Sequence, residues 1–180
     1  LQKQDISVNR HTKTGLTEGY SRSPAIKEPT EILMNKYYEE IPWPDFQAIA
    51  VQHFGFEFTG IDSFLNRKGI NAATDGPVIP IPAAEKYDDI KLIKYIEGPI
   101  KSLEPHSYLY VLTYNSYSKG SPIKLYAQHL PGFIGYHQRN FKEYFYSTEV
   151  EIISFETMKG WIYHHEDVFY SVDFKACLSK

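Results

Sequence analysis

The sequence predicts an α+β fold, with helices in the N-terminal half and an antiparallel, β-rich C-terminal half. Two observations carry this. Apolar residues recur at helical spacing before residue 100, whereas later runs such as SYLYVLTY are dense in strand-forming residues. The chain also holds 15 Tyr and 11 Phe but only 2 Met, and flat rings favour a pleated surface. Helices followed by strands, rather than alternating with them, point to α+β instead of a parallel α/β sheet.

Taken in order, residues 1–17 read as a loose polar segment, and 18–180 as one domain. A short strand is expected at 18–23, before Pro24 and Pro29 limit regular structure. Thr30 is placed to cap a helix over 31–39, with Pro42 and Pro44 expected to end it. Phe46, Ile49 and Ala50 predict a helix over 46–53. A further helix is expected over 61–67, stopped at Gly69. Residues 71–82 read as a turn followed by a strand in which Pro80 and Pro82 leave N–H groups missing on one side, which suits a sheet edge. Tyr87, Ile90, Ile93 and Lys94 predict a helix over 83–96. The strongest strand spans 107–114, and 123–129 reads as another. Gly132 and Gly135 within a Tyr/Phe-rich run make 130–148 read as a loop. Strands are expected over 150–155, 161–165 and 168–174.

The composition is that of an ordinary globule, 42% apolar and 23% charged. At 180 residues, the chain is long enough to bury a core without a metal or disulfide staple. The net charge of −3 gives no global basic field, so nucleic acid is not an expected partner. No run approaches the roughly 18 apolar residues of a membrane span. Leu1 in first place is expected of a processed or trimmed chain.

Most motifs of catalysis are missing. No G-x-S-x-G, Walker-type or G-x-G-x-x-G sequence occurs. His164 and His165 are adjacent, so on a strand they point to opposite faces, and no metal site is expected from them. The exception is Glu149-Val150-Glu151. Period-2 geometry puts both carboxylates on one face, where mutual repulsion can separate their pKa values into acid and base roles. A solvated strand edge with two exposed acids is the plain alternative.

In order along the chain, several segments resemble the catalytic chain of the cholera/pertussis-type ADP-ribosylating toxins. They are Asp75-Gly76-Pro77-Val78-Ile79-Pro80-Ile81, the helix to Gly98, His106-Ser107-Tyr108-Leu109-Tyr110-Val111-Leu112, Glu149-Val150-Glu151 and Gly160-Trp161. Tyr20-Ser21-Arg22-Ser23-Pro24, followed by Pro29-Thr30-Glu31-Ile32, looks like a loose version of that family's opening. The resemblance covers roughly residues 18–170 and implies an ADP-ribosyltransferase-like domain. It implies a secreted toxin or effector, a virulence factor delivered into a host cell, with NAD as substrate and a host protein as target. The reaction would be a glycosyl transfer in which the nicotinamide–ribose bond breaks through an oxocarbenium-like ribose. Glu151 would stabilise that charge, Glu149 would activate the acceptor, and Arg22 with Tyr20 would bind NAD. The Tyr-rich stretch before Glu149 would recognise the target. By the same resemblance Cys177, the only cysteine, would tie the chain to a second peptide through a disulfide, with a buried thiol as the alternative.

The family has Ser-Thr-Ser where this chain has Ile79, Pro80 and Ile81, and apolar side chains cannot supply the hydrogen bond that holds the catalytic glutamate. Two alternatives therefore stand beside the active transferase. One is an inactive relative that binds a partner protein through the same cleft. The other is an unrelated β-rich binding module.

Overall fold

A computed structural model describes residues 38–71, 78–164 and 166–179. Within them the chain forms strand β1 (Tyr38–Glu40), helices α1 (Trp43–Phe54) and α2 (Ile61–Arg67), strand β2 (Val78–Pro80), and helices α3 (Asp89–Leu92) and α4 (Lys94–Lys101). Strand β3 (Tyr108–Thr113), helix α5 (Tyr114–Lys119), strand β4 (Ile123–Tyr126) and helix α6 (Leu130–Phe141) follow. Strands β5 (Val150–Ser154), β6 (Lys159–His164) and β7 (Val168–Asp173) lead to helix α7 (Phe174–Leu178). The fold is α+β. The strands form one antiparallel sheet in the order β1-β4-β3-β5-β6-β7-β2.

Alternation along the central strands creates two cores, one on each face of the sheet. Leu109, Val111, Val150, Ile152, Trp161 and Tyr163 pack under α3, α4 and α6. Tyr110, Leu112, Ile153, Ile162 and Tyr170 pack under α1, α2 and α7. Helices therefore cover both faces, which explains why the strands read as nearly continuous apolar and aromatic runs. On the second face, the Phe54, Phe64 and Phe174 rings meet at centroid distances of 4.9 to 5.0 Å.

Several sequence expectations need correction. Tyr38–Glu40 is an edge strand, not the end of a helix, because Tyr38 pairs with Leu125 and packs its ring 5.1 Å from Phe133. Pro42 and Pro44 open α1 rather than close a preceding helix, since a first helical turn needs no proline N–H. The helix expected over 83–96 is broken. Residues Ala83–Glu85 form a 3-10 turn, Tyr87 has φ +59°, and the Asp88 side chain caps α3 by accepting from Lys91 N–H.

The largest difference is α6, where a loop was expected. Pro131 sits in its first turn, and Leu130, Phe133, Ile134 and His137 keep helical spacing despite Gly132 and Gly135. Helices therefore also occupy the second half. The strands at 108–113, 150–154, 159–164 and 168–173 lie where strand-forming residues predict them, and β2 is an edge strand. The strand expected at 18–23, the capping Thr30 and residues 31–37 of the helix expected over 31–39 lie outside the described residues.

Gly160 in β6 permits the close approach of α7. A Cβ there would lie 2.7 Å from Phe174 Cζ and 3.0 Å from Ile61 Cδ1. The Phe174 ring is fully buried among other rings and has no room to retreat. Gly160→Ala is therefore expected to destabilise the fold by about 1–3 kcal/mol through overpacking. Urea titration followed by tryptophan fluorescence checks this: the midpoint should fall while the slope stays unchanged.

Candidate functional site

Glu151 lies in the middle strand of the sheet, in a row that runs Leu112, Glu151, Ile162, Tyr170 across β3, β5, β6 and β7. Its neighbours in that row are apolar or aromatic, and α2 covers them, so the side chain is only 1% exposed. Both carboxylate oxygens are occupied. Oε1 accepts the N–H of Ile61, the first residue of α2, at 2.9 Å. Oε2 accepts the Tyr117 hydroxyl of α5, also at 2.9 Å. Gly60, which precedes α2, has φ +128°, and a Cβ there would come within 3.2 Å of Oε1. Glycine is thus required on two counts, backbone conformation and space.

Burial raises the Glu151 carboxyl to about 8, with Glu149 and Asp62 adding to the rise. The two hydrogen bonds oppose it without cancelling it. The same burial and the adjacent Glu151 charge push the Tyr117 hydroxyl up. Tyr170 donates to Asp62 Oδ1, and its hydroxyl is raised by desolvation and by that carboxylate.

Glu149 stands just before β5, and period 2 turns it to the same face as Glu151. There it meets His164 at the end of β6, whose Nε2 lies 3.8 Å from Glu149 Oε2 and 3.6 Å from Asp62 Oδ2. Ligand atoms of Asp62, Glu149 and His164 all lie within 4.8 Å of one another. Asp62 and His164 line an open cavity of about 270 Å³ together with Asn66, Asn71, Glu166 and Tyr170.

Thus the two glutamates share a face but occupy different environments. Glu149 is partly exposed beside a cavity-lining histidine, while Glu151 is sealed. Arg22 and Tyr20 lie outside the described residues. Ile79, Pro80 and Ile81 run along and just beyond β2, which pairs with β7 and not with β5. Comparison with known families, curated proteins and solved structures finds no match.

Sequence reasoning missed Asp62 and Tyr117. Asp62 lies 87 positions before Glu149 and 102 before His164, so no local spacing could pair them. Only the alternation that places both Glu149 and His164 on the α2 face offered a signal. His165 lies outside the described residues, and a third element, α2, supplies His164 with a neighbour that its own strand does not.

Cys177 differs from its expected role as a surface tether. It lies on the inner side of α7 within the second core, and a disulfide to another chain needs sulfur at the surface. No helix among the described residues is long and apolar enough to cross a membrane.

The site makes a pH prediction. Between the ordinary carboxyl value of 4.5 and about 8, folded Glu151 keeps a proton that the unfolded chain has released. Its contribution is therefore full below 4.5 and is lost as pH rises through 8, with a slope of at most about 1.4 kcal/mol per pH unit. Glu151→Gln keeps the shape and one carbonyl acceptor for Ile61 N–H but does not titrate. Urea unfolding from pH 5 to 9 should show a decline in the parent that flattens in Glu151→Gln. Parallel curves would remove the buried acid as its cause.

Proposed function

We propose that this chain is a partner-binding protein that carries a Glu-x-Glu arrangement without transferase activity. Its acidic, aromatic sheet end receives a basic surface of another protein. The single observation that carries this reading is the sealing of Glu151: both oxygens are already bonded, so no accessible pair of carboxylates underlies a ribose. An oxocarbenium ion is stabilised only by a carboxylate that reaches it.

The surroundings support a protein partner. Thr113, Val150 and Tyr163 are aligned across β3, β5 and β6, so Tyr114, Glu149 and His164 emerge at the same end of the sheet. Tyr114 is 69% exposed, Phe141 59% and Tyr144 44%. Tyr114 and Phe141 border adjoining cavities that share Thr113, Asn115 and His137. Exposed tyrosines supply contact area at small entropic cost and are enriched at interfaces. Asp62, Glu149 and Glu166 gather around His164 at this end, apart from Arg139 and Lys142 beside Phe141. A basic partner complements that charge and would be steered by it.

NAD-dependent ADP-ribosylation by a secreted effector is the second reading. It is favoured by partly exposed Glu149, which lies 3.8 Å from a cavity-lining histidine on the face it shares with Glu151.

Two measurements separate these readings. Purified protein incubated with NAD should release no nicotinamide. Release that falls a hundred-fold or more in Glu149→Gln would establish the transferase and overturn the binding reading. Immobilised protein should retain a basic protein from a cell extract at low salt and lose it in about 0.5 M salt, where the Debye length is only a few ångströms. Tyr114→Ser combined with Phe141→Ser should abolish retention without changing the fold, since both side chains are exposed.

A further inference from the structure

We propose that Asp62, Glu149 and His164 form a binding site for a divalent cation of the zinc class, with one imidazole nitrogen and two carboxylate oxygens as protein ligands. This inference shares Asp62 and Glu149 with the acidic end of the partner-binding reading, but it is tested on the isolated chain with metal alone, so the two fail separately.

The spacing of the ligand atoms carries it. His164 Nε2 stands 3.6 Å from Asp62 Oδ2 and 3.8 Å from Glu149 Oε2, and the three ligand atoms fall within 4.8 Å of one another. Those separations are long for direct hydrogen bonds, which prefer about 2.7–3.2 Å. Ligands that share a tetrahedral zinc ion at about 2.0–2.2 Å stand about 3.3–3.6 Å apart, so closing the present triangle around an ion takes only small side-chain movements.

The three residues come from α2, the entry to β5 and the end of β6, and each is held by its neighbours. The Tyr170 hydroxyl fixes Asp62 through Oδ1, which turns the other oxygen toward His164. Register with Val150 and Tyr163 fixes the approach of Glu149 and His164. His164 Nδ1 accepts the Glu166 N–H at 3.3 Å, and Glu166 Oε2 lies 3.9 Å from the same nitrogen. Metal binding needs the Nε2 lone pair. The imidazole proton would then sit on Nδ1, so the long Glu166 N–H contact is given up and the Glu166 carboxylate, 3.9 Å away, turns to accept from Nδ1 as the outer partner of a metal-bound histidine.

The ligand set selects the cation. Calcium and magnesium favour six or more oxygen ligands, whereas one nitrogen with two oxygens suits zinc and its divalent neighbours. Three protein ligands leave a fourth position. Two of those ligands line the 270 Å³ cavity, where Asn66 and Asn71 also stand, so that position is open to water or to a small anionic ligand.

The test is calorimetric titration of the full chain with zinc chloride after dialysis against a chelator. One equivalent should bind, and magnesium in large excess should not displace it. His164→Ala and Glu149→Gln should each weaken binding at least tenfold. His106→Ala, at an exposed histidine, should bind as the parent does. Each variant's thermal transition without metal reports its folding, and His164→Asn replaces any His164→Ala protein that fails to fold. Absence of stoichiometric binding overturns the proposal, as does a folded His164 variant that binds zinc as tightly as the parent.

Discussion

The arrangement depends on one buried carboxylate. Glu151 sits in the middle of the sheet, where a charge is costly, and its two oxygens reach in different directions. One holds the first N–H of α2, the other the hydroxyl of Tyr117 on α5. A single side chain thus fixes a helix and a short turn of helix against the same strand. It also explains why Gly60 comes so close, and why Asp62, two residues later, is delivered to Glu149 and His164. A second buried acid does the equivalent on the other face. Asp89 accepts the N–H groups of Phe145 and Tyr146 and anchors the turn that leads into β5. The central strand is therefore positioned from both sides by carboxylates that accept backbone N–H groups.

The strands were legible because their signal is local. The density of β-branched and aromatic residues in YLYVLT and VEIIS gives the element, and Pro80 marks an edge without any tertiary information. The helix at 130–141 was hidden by Gly132 and Gly135, whose turn character outweighed an intact apolar period. Its stability comes from Phe133 and Ile134 buried against the sheet rather than from intrinsic propensity. Tyr38–Glu40 failed for a related reason, since nothing nearby in sequence announces its pairing with β4.

The candidate site was half legible. The shared face of Glu149 and Glu151 follows from their spacing, but their different fates do not. One residue at the strand entry meets a histidine that lines a cavity. The other, two positions on, lies beneath a helix encoded some 90 residues earlier. Spacing reports which side a residue faces, but how deep it lies depends on which distant element crosses above it.

The two outermost strands of the described sheet are each three residues long, and one of them ends in Pro80. Short, proline-terminated borders offer little backbone for another extended chain to dock against in register. A partner of the kind proposed above would thereby be turned away from main-chain pairing, which is tolerant of sequence, and toward side chains gathered where the strands finish. Such a surface changes its specificity by substitution at a few exposed positions, while the hydrogen-bonded framework beneath it stays as it is.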